Sequence, residues 1–224
     1  MNEVIFTLRN KLSLSNYPKE RNDFFEYFKG IANLLMNKCV ISRGIANYEI
    51  LEIEFYLFTP NHQDIITYPR NTKAGQWFFH QSGVDLTFES DEGNFGGILI
   101  RGIREVRSGK QVFGPQNCVN LLWDKFDAFD INPSEYPIIT SCEHDSDAKI
   151  ISRPRYIKTK ADKIKEWSDR VIKNGFTLNT TEEARANLVF NSSYRFIKTG
   201  AINKNDEAWK KYTAKPDDDQ NSVC

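Results

Sequence analysis

The stretch EILEIEFYLF, Glu49 to Phe58, decides how this sequence folds. Leu51, Ile53, Phe55 and Leu57 alternate with Ile50, Glu52, Glu54, Tyr56 and Phe58, which is the two-residue period of a β-strand. One face is wholly apolar, and the other carries two carboxylates and a tyrosine. The composition predicts a buried strand. The acids then have two readings: they look out to solvent from an outer face, or they stand at the wall of a cleft, where desolvation tunes a carboxylate as a general base.

The neighbouring segments supply a sheet and its helices. Upstream, RNDFFEYFKGIANLLMNK (21 to 38) places Phe24, Phe25, Phe28, Ile31, Ala32 and Leu35 at the three-and-four spacing of an amphipathic helix. Strands are predicted at about 39–45, 48–58, 76–81, 84–90 and 96–106, with turns at Gly75, Ser82-Gly83 and DEGNFGG (91 to 97). A helix is expected from Pro115 through QNCVNLLWDKF, since Pro suits a first helical position. A strand near 148–157, a helix near 160–173 and a strand over 187–200 complete the pattern. Nothing marks a linker. The expectation is one α+β domain over 1–215, a curved antiparallel sheet with a few surrounding helices, followed by an acidic, mobile tail at 216–224.

Composition bounds the partners. The chain has 224 residues, 40% hydrophobic and 13% aromatic, enough for a packed core. Lys plus Arg and Asp plus Glu both number 30, so no overall field advertises nucleic acid. The stretch SRPRYIKTKADKIKEWSDRVIK (152 to 173) is locally basic, and its charges either contact phosphates or form a solvated helix face. No apolar run reaches the roughly 18 residues of a membrane span, and the N-terminus has no secretory leader, so a cytoplasmic protein is expected. Four separated cysteines and three scattered histidines lack metal-ligand spacing. The glycine pair in DEGNFGG has no phosphate-loop lysine beside it and is taken as a hairpin connection.

Motifs in a fixed order add a resemblance. EFYL (54 to 57), His62, YPRN (68 to 71), AG (74 and 75), WFFH (77 to 80), ILIRG (98 to 102), FGPQNCVNLL (113 to 122) and YRFIKTG (194 to 200) follow one another as similar motifs do in the alkyladenine (3-methyladenine) DNA glycosylase family. The likeness covers roughly residues 21 to 200. It implies that family's α+β fold, similar to the formyltransferase C-terminal domain, and hydrolysis of an N-glycosidic bond in DNA. In this reading Glu54 deprotonates or orients the attacking water, and Arg101 helps to hold the water and the nearby phosphate. Tyr56 and His80 sandwich the flipped base, and His62 donates to its edge or to the sugar phosphate. Arg70, Asn71 and Ser82 are nucleic-acid contacts, joined by Arg153 and Arg155 of the basic stretch. An oxocarbenium-like sugar needs an anion and a poised water, and its base must leave the stack. No metal or organic cofactor is implied; the partner is DNA, modified or single-stranded, and a monomer is expected.

The sequence also departs from that family. Ser82 stands at the hairpin tip where the family carries a tyrosine wedge, and the family's pocket asparagine falls near Phe88 or Glu89. The loop from Tyr56 to His62 is shorter. A noncatalytic nucleic-acid or nucleotide binder that keeps the fold is the alternative reading, and a structural protein is a third.

Overall fold

The structure, a computed structural model, describes residues 2–124, 135–142, 148–155, 157 and 163–199. The tail at 216–224 lies outside these residues, as do residues 125 and 126 of the helix expected after Pro115, which ends at Leu122. In chain order the elements are α1 (Glu3–Lys11), α2 (Phe24–Asn37), β1 (Cys39–Arg43), β2 (Ala46–Thr59), β3 (His62–Gln63), β4 (Trp77–His80), β5 (Gly83–Thr87), β6 (Phe95–Glu105), β7 (Gln111–Phe113), α3 (Pro115–Leu122), β8 (Ile138–Ser141), β9 (Ile150–Arg153), α4 (Lys163–Lys173), α5 (Glu182–Asn191) and β10 (Arg195–Lys198).

Among the described residues ten strands join one open antiparallel sheet, whose main path runs β4-β5-β6-β2-β1-β8, with β3 and β10 also paired to β2, β7 to β6 and β9 to β10. The long strand β2 is its spine. On one side it pairs with β6 from Tyr48 to Phe58, and on the other with β1 and then β10 in succession. The fold is therefore a single α+β domain built on a large antiparallel sheet. A strand paired on both sides satisfies its backbone groups internally, which is why its acids stand in the interior rather than at an edge.

Helices pack on both sheet faces, on the second only around Phe58 and Phe95. Ile50, Ile53, Phe55 and Leu57 pack under α2, where Phe28 stacks on Phe55 at 4.6 Å between ring centroids. Phe58, Phe95 and Ile65 pack on the other face beneath Ile164, Trp167 and Val171 of α4 and Val189 of α5. Fully burying each of these large side chains contributes about 1.5–3 kcal/mol. At the hairpin between β4 and β5, His80 pairs with Gly83, leaving a two-residue loop of Gln81 and Ser82. Gly83 has φ +142°, and a Cβ there would lie 2.7 Å from the Pro115 Cβ, so both backbone and packing require glycine.

Three sequence expectations change. Residues 187–200 were expected as one strand, but Thr181 caps a helix through Glu182–Asn191, and only Arg195–Lys198 is strand. The Thr181 hydroxyl accepts from the Ala184 amide at 3.2 Å, and Glu182 and Glu183 suit the positive end of the helix dipole. Helix α1, capped by Asn2, was not foreseen. Simple alternation also fails at one point: Ile50 joins the core beside Ile53, because the register shifts between Ile50 and Glu52 and again before Ile53. Leu51 on β2 and Arg101 on β6 are the extra residues, paired β-bulges that restore the register beyond them.

Candidate active site on the polar face of the sheet

The register builds the site. Asp85 on β5, Leu99 on β6, Glu54 on β2, Arg195 on β10 and Arg153 on β9 are successive cross-strand partners, a rung of five strands facing one way. Glu54 lies at its centre with none of its surface exposed. The bulge on β6 turns the Arg101 side chain into the space between the two glutamates of β2. Arg101 donates from Nε to Glu52 Oε1 at 3.0 Å and from Nη1 to Glu54 Oε2 at 3.1 Å. The same Glu54 oxygen accepts the Tyr56 hydroxyl at 2.7 Å. Arg101 and Glu52 are themselves nearly enclosed, with side chains 8% and 1% exposed.

Electrostatics follow from this enclosure. Burial pushes the Glu52 carboxyl above its ordinary value, while Arg101 and Arg195 pull it down. The Tyr56 phenol is pushed well above its usual range, first by burial and then by the Glu54 charge, so it donates and stays neutral. Burial opposes charge on Arg101, yet Glu54 and Glu52 outweigh it and hold the guanidinium above its usual value.

A second buried pair supports the first. Arg155 meets Asp64 through Nη1 to Oδ2 at 2.5 Å and Nη2 to Oδ1 at 2.9 Å, both side chains fully buried. The same guanidinium lies 4.8 Å above the Tyr56 ring and donates to the carbonyls of Phe55, Leu188 and Val189. It thereby ties the end of α5 to β2 and covers one side of Tyr56. Next to it, His62 stacks on Phe24 at 4.3 Å and bonds to the Leu57 carbonyl and the Tyr194 hydroxyl through its two ring nitrogens. Burial lowers the His62 pKa to about 4, so the ring is neutral near pH 7.

The expected site residues thus divide. Glu54, Arg101 and Tyr56 converge. His62 is a packed core histidine under α2 and offers no surface to a base or a sugar phosphate. Arg155 is sealed against Asp64, which corrects its expected role as a phosphate contact. Arg70 is likewise enclosed, its side chain 3% exposed, and its Nη1 meets Asp85 Oδ2 at 2.6 Å. Asn71, Ser82 and Arg153 are exposed. His80 and Tyr56 sit on strands three spacings apart, about 14 Å, and His80 turns to Asp85, so they do not form two facing walls for one base. A recess of about 550 Å³ lies elsewhere, between Arg21 and the α5 residues Ala184, Asn187 and Phe190.

Sequence reasoning passed over Asp85, Asp64, Tyr194 and Arg195. Asp85 carried the signal that marked Glu54: an acid inside an alternating strand, VDLTF. Asp64 gave no such signal, because only the folded chain brings Arg155 to it. Among the described residues, no group of three or more His, Cys, Asp or Glu is arranged to hold a metal ion, and no helix is long and apolar enough to cross a membrane.

The chain is 27% identical over 183 residues to an uncharacterized protein, L759, of Acanthamoeba polyphaga mimivirus, covering 64% of this chain and 83% of that protein. No protein-family model and no solved structure matches the chain.

Proposed function

We propose that the protein is an N-glycosidic bond hydrolase of the DNA glycosylase type, with Glu54 as the group that orients or deprotonates water and stabilises a cationic sugar. The fold resembles that of the alkyladenine glycosylases in this reading, and the partner is DNA. One observation carries it: the Glu54 carboxylate is wholly buried between the Tyr56 hydroxyl and the Arg101 guanidinium. Enclosing two carboxylates and a guanidinium costs desolvation free energy, and apolar residues of similar size often serve packing as well or better. A preorganised anion held by fixed donors is what an oxocarbenium-like transition state uses.

The chemistry needs few groups. Water attacks the sugar carbon as the C–N bond breaks and its electron pair leaves with the base, one water proton passes to Glu54 while the O–H that remains becomes the sugar hydroxyl, and Arg101 and Tyr56 keep that carboxylate aimed. The base must reach this face from outside, and Arg153, exposed two strands from Glu54 on the same rung, stands where a phosphate can meet it.

The test is a panel of duplex and single-stranded oligonucleotides carrying alkylated, deaminated or oxidised bases, scored for alkali-labile sites. The proposal requires cleavage with at least one of them. A second reading, a noncatalytic nucleic-acid binder, is favoured by Ser82 at the hairpin tip, which is too small to fill the gap left by a flipped base. Salt-sensitive binding without any strand scission after alkali would establish that reading instead.

A further inference from the structure

Arg101 serves two buried acids. Its Nε goes to Glu52 Oε1 at 3.0 Å and its Nη1 to Glu54 Oε2 at 3.1 Å, so the carboxylates divide one guanidinium. The strand partners of Glu52 are Gly102 on β6 and Ile197 on β10. Gly102 makes room for the acid: a Cβ there would lie 3.1 Å from Glu52 Cβ and 2.8 Å from Phe113 Cδ1, so the Phe113 ring of β7 packs over the same spot. Within electrostatic reach of Glu52 are Arg101 on β6, Arg195 on β10, Glu54 on its own strand and Cys118 on α3. Burial, and after it the Glu52 charge, pushes the Cys118 thiol up to about 12, so that group stays protonated.

A second buried carboxylate is costly, and packing alone does not call for it. What Glu52 adds is aim and charge. By accepting from Nε it keeps the Arg101 plane from turning to grip Glu54 with two parallel N–H bonds, a bidentate pairing that would draw on both Glu54 oxygens. With both acids ionised, Glu52 and Glu54 offset Arg101 and Arg195, the cross-strand partner of Glu54. Neutralising Glu52 leaves an excess of positive charge beside a sugar carbon that becomes cationic as the base departs.

We propose that Glu52 is a positioning residue for the hydrolysis: its charge holds Arg101 Nε, leaves Nη1 to Glu54 and offsets the positive charge beside the sugar, so base release requires Glu52 ionised. When Glu52 takes a proton, Arg101 loses that anchor and release slows. Because burial lifts the Glu52 carboxyl, this loss begins above the ordinary carboxylate range and deepens as pH falls. The inference rests on the glycosidase reading for the reaction, but the link between Glu52 and Arg101 is also read without turnover.

Single-turnover base release from the most reactive oligonucleotide of the panel is followed from about pH 8 to about pH 5 in wild type and Glu52→Gln. The Arg101 Nε–H and Glu52 carboxyl signals of the wild type are followed by NMR over the same range. Gln still accepts from Arg101 Nε, so the variant loses the charge and keeps the shape. At the upper pH it should release base roughly tenfold or more slowly, the scale of one charge acting across several ångströms of protein, with oligonucleotide affinity unchanged. The ratio of wild-type to variant rates should fall toward one as pH drops through the Glu52 titration, a comparison that cancels every group titrating in both. The Nε–H signal should move with that same midpoint. A ratio that does not change with pH, or an Nε–H signal that ignores the Glu52 titration, overturns the proposal. Should the variant fail to fold, a wild-type rate with no acid limb at the Nε–H midpoint overturns it equally. Matching NMR titrations without base release from any oligonucleotide would overturn the hydrolase reading and leave the link between Glu52 and Arg101 standing.

Discussion

Removing the guanidinium between the two glutamates should be costly, and the cost should depend on pH. Arg101 bridges Glu52 at 3.0 Å and Glu54 at 3.1 Å, and the two acids are 1% and 0% exposed. Arg101→Met keeps much of the side-chain volume and leaves both carboxylates without their bridging cation. Breaking a buried pair from one side costs about 3–5 kcal/mol. Arg195, the cross-strand partner of Glu54, stays in place and should hold the loss near the lower end, about 3 kcal/mol. Burial already pushes the Glu52 carboxyl up, and protonating it removes its uncompensated charge, so the deficit should shrink as pH falls from 7 to 5. Adding Glu52→Gln and Glu54→Gln should recover much of it. The assay is urea unfolding at both pH values, with the change read in the midpoint at constant slope. A loss below about 1 kcal/mol that is the same at both pH values, the behaviour of an exposed pair, would refute the reasoning.

Three further outcomes follow from other residues. His62 has a folded pKa of about 4 against the usual 6.5, so between those values the unfolded chain binds more protons and stability falls as pH drops through that window. The loss should approach about 3 kcal/mol, and His62→Gln should flatten that part of the stability curve; an unchanged curve would contradict it. Glu52, whose pKa is raised, contributes in the opposite sense, losing stability as pH rises through its folded value, so wild type and variant must be compared directly. Gly97→Ala should destabilise by about 1–3 kcal/mol through overpacking against Asp85 and Arg70, seen as a lower thermal midpoint, while a midpoint at or above wild type would mean the hairpin yields freely. Tyr56→Phe removes a bond to a carboxylate and should cost about 1.5–3 kcal/mol in urea unfolding; no measurable change would show the hydroxyl to be idle.

Much of the sheet was legible because alternation is a local signal. The spans expected at 48–58 and 96–106 match β2 and β6 closely, and Phe24 to Leu35 marked α2. The bulges were not legible: alternation assigns Ile50 to the acid face, and only the pairing with β6 shows two extra residues correcting the register. That correction is also what aims Arg101. Helix α5 was misread because Leu188, Val189 and Phe190 look like strand, although Thr181 with Glu182 and Glu183 is a helix start. Arg70 and Arg155 read as surface cations because an arginine's partner is invisible until the chain folds, and both partners, Asp85 and Asp64, lie in separate segments. Glu54, Tyr56 and Arg101 stand out in the sequence because acid, phenol and guanidinium each interrupt an apolar strand, while the roles given to them come from the resemblance; the structure shows that the three side chains meet.

The central claim is that the Glu54 carboxylate performs chemistry rather than holding β6 in place. Single-turnover release of free base, followed by chromatography on the most reactive oligonucleotide of the panel, tests it most directly in wild type and Glu54→Gln. Gln keeps the shape and can still accept from Arg101 and Tyr56, and matched thermal midpoints and oligonucleotide affinities would confirm that fold and binding survive. The account predicts at least a hundredfold slower release in the variant, the lower end of what a positioned acid–base group contributes, about 10²–10⁴. Release at the wild-type rate from a folded, DNA-bound Glu54→Gln protein would contradict it.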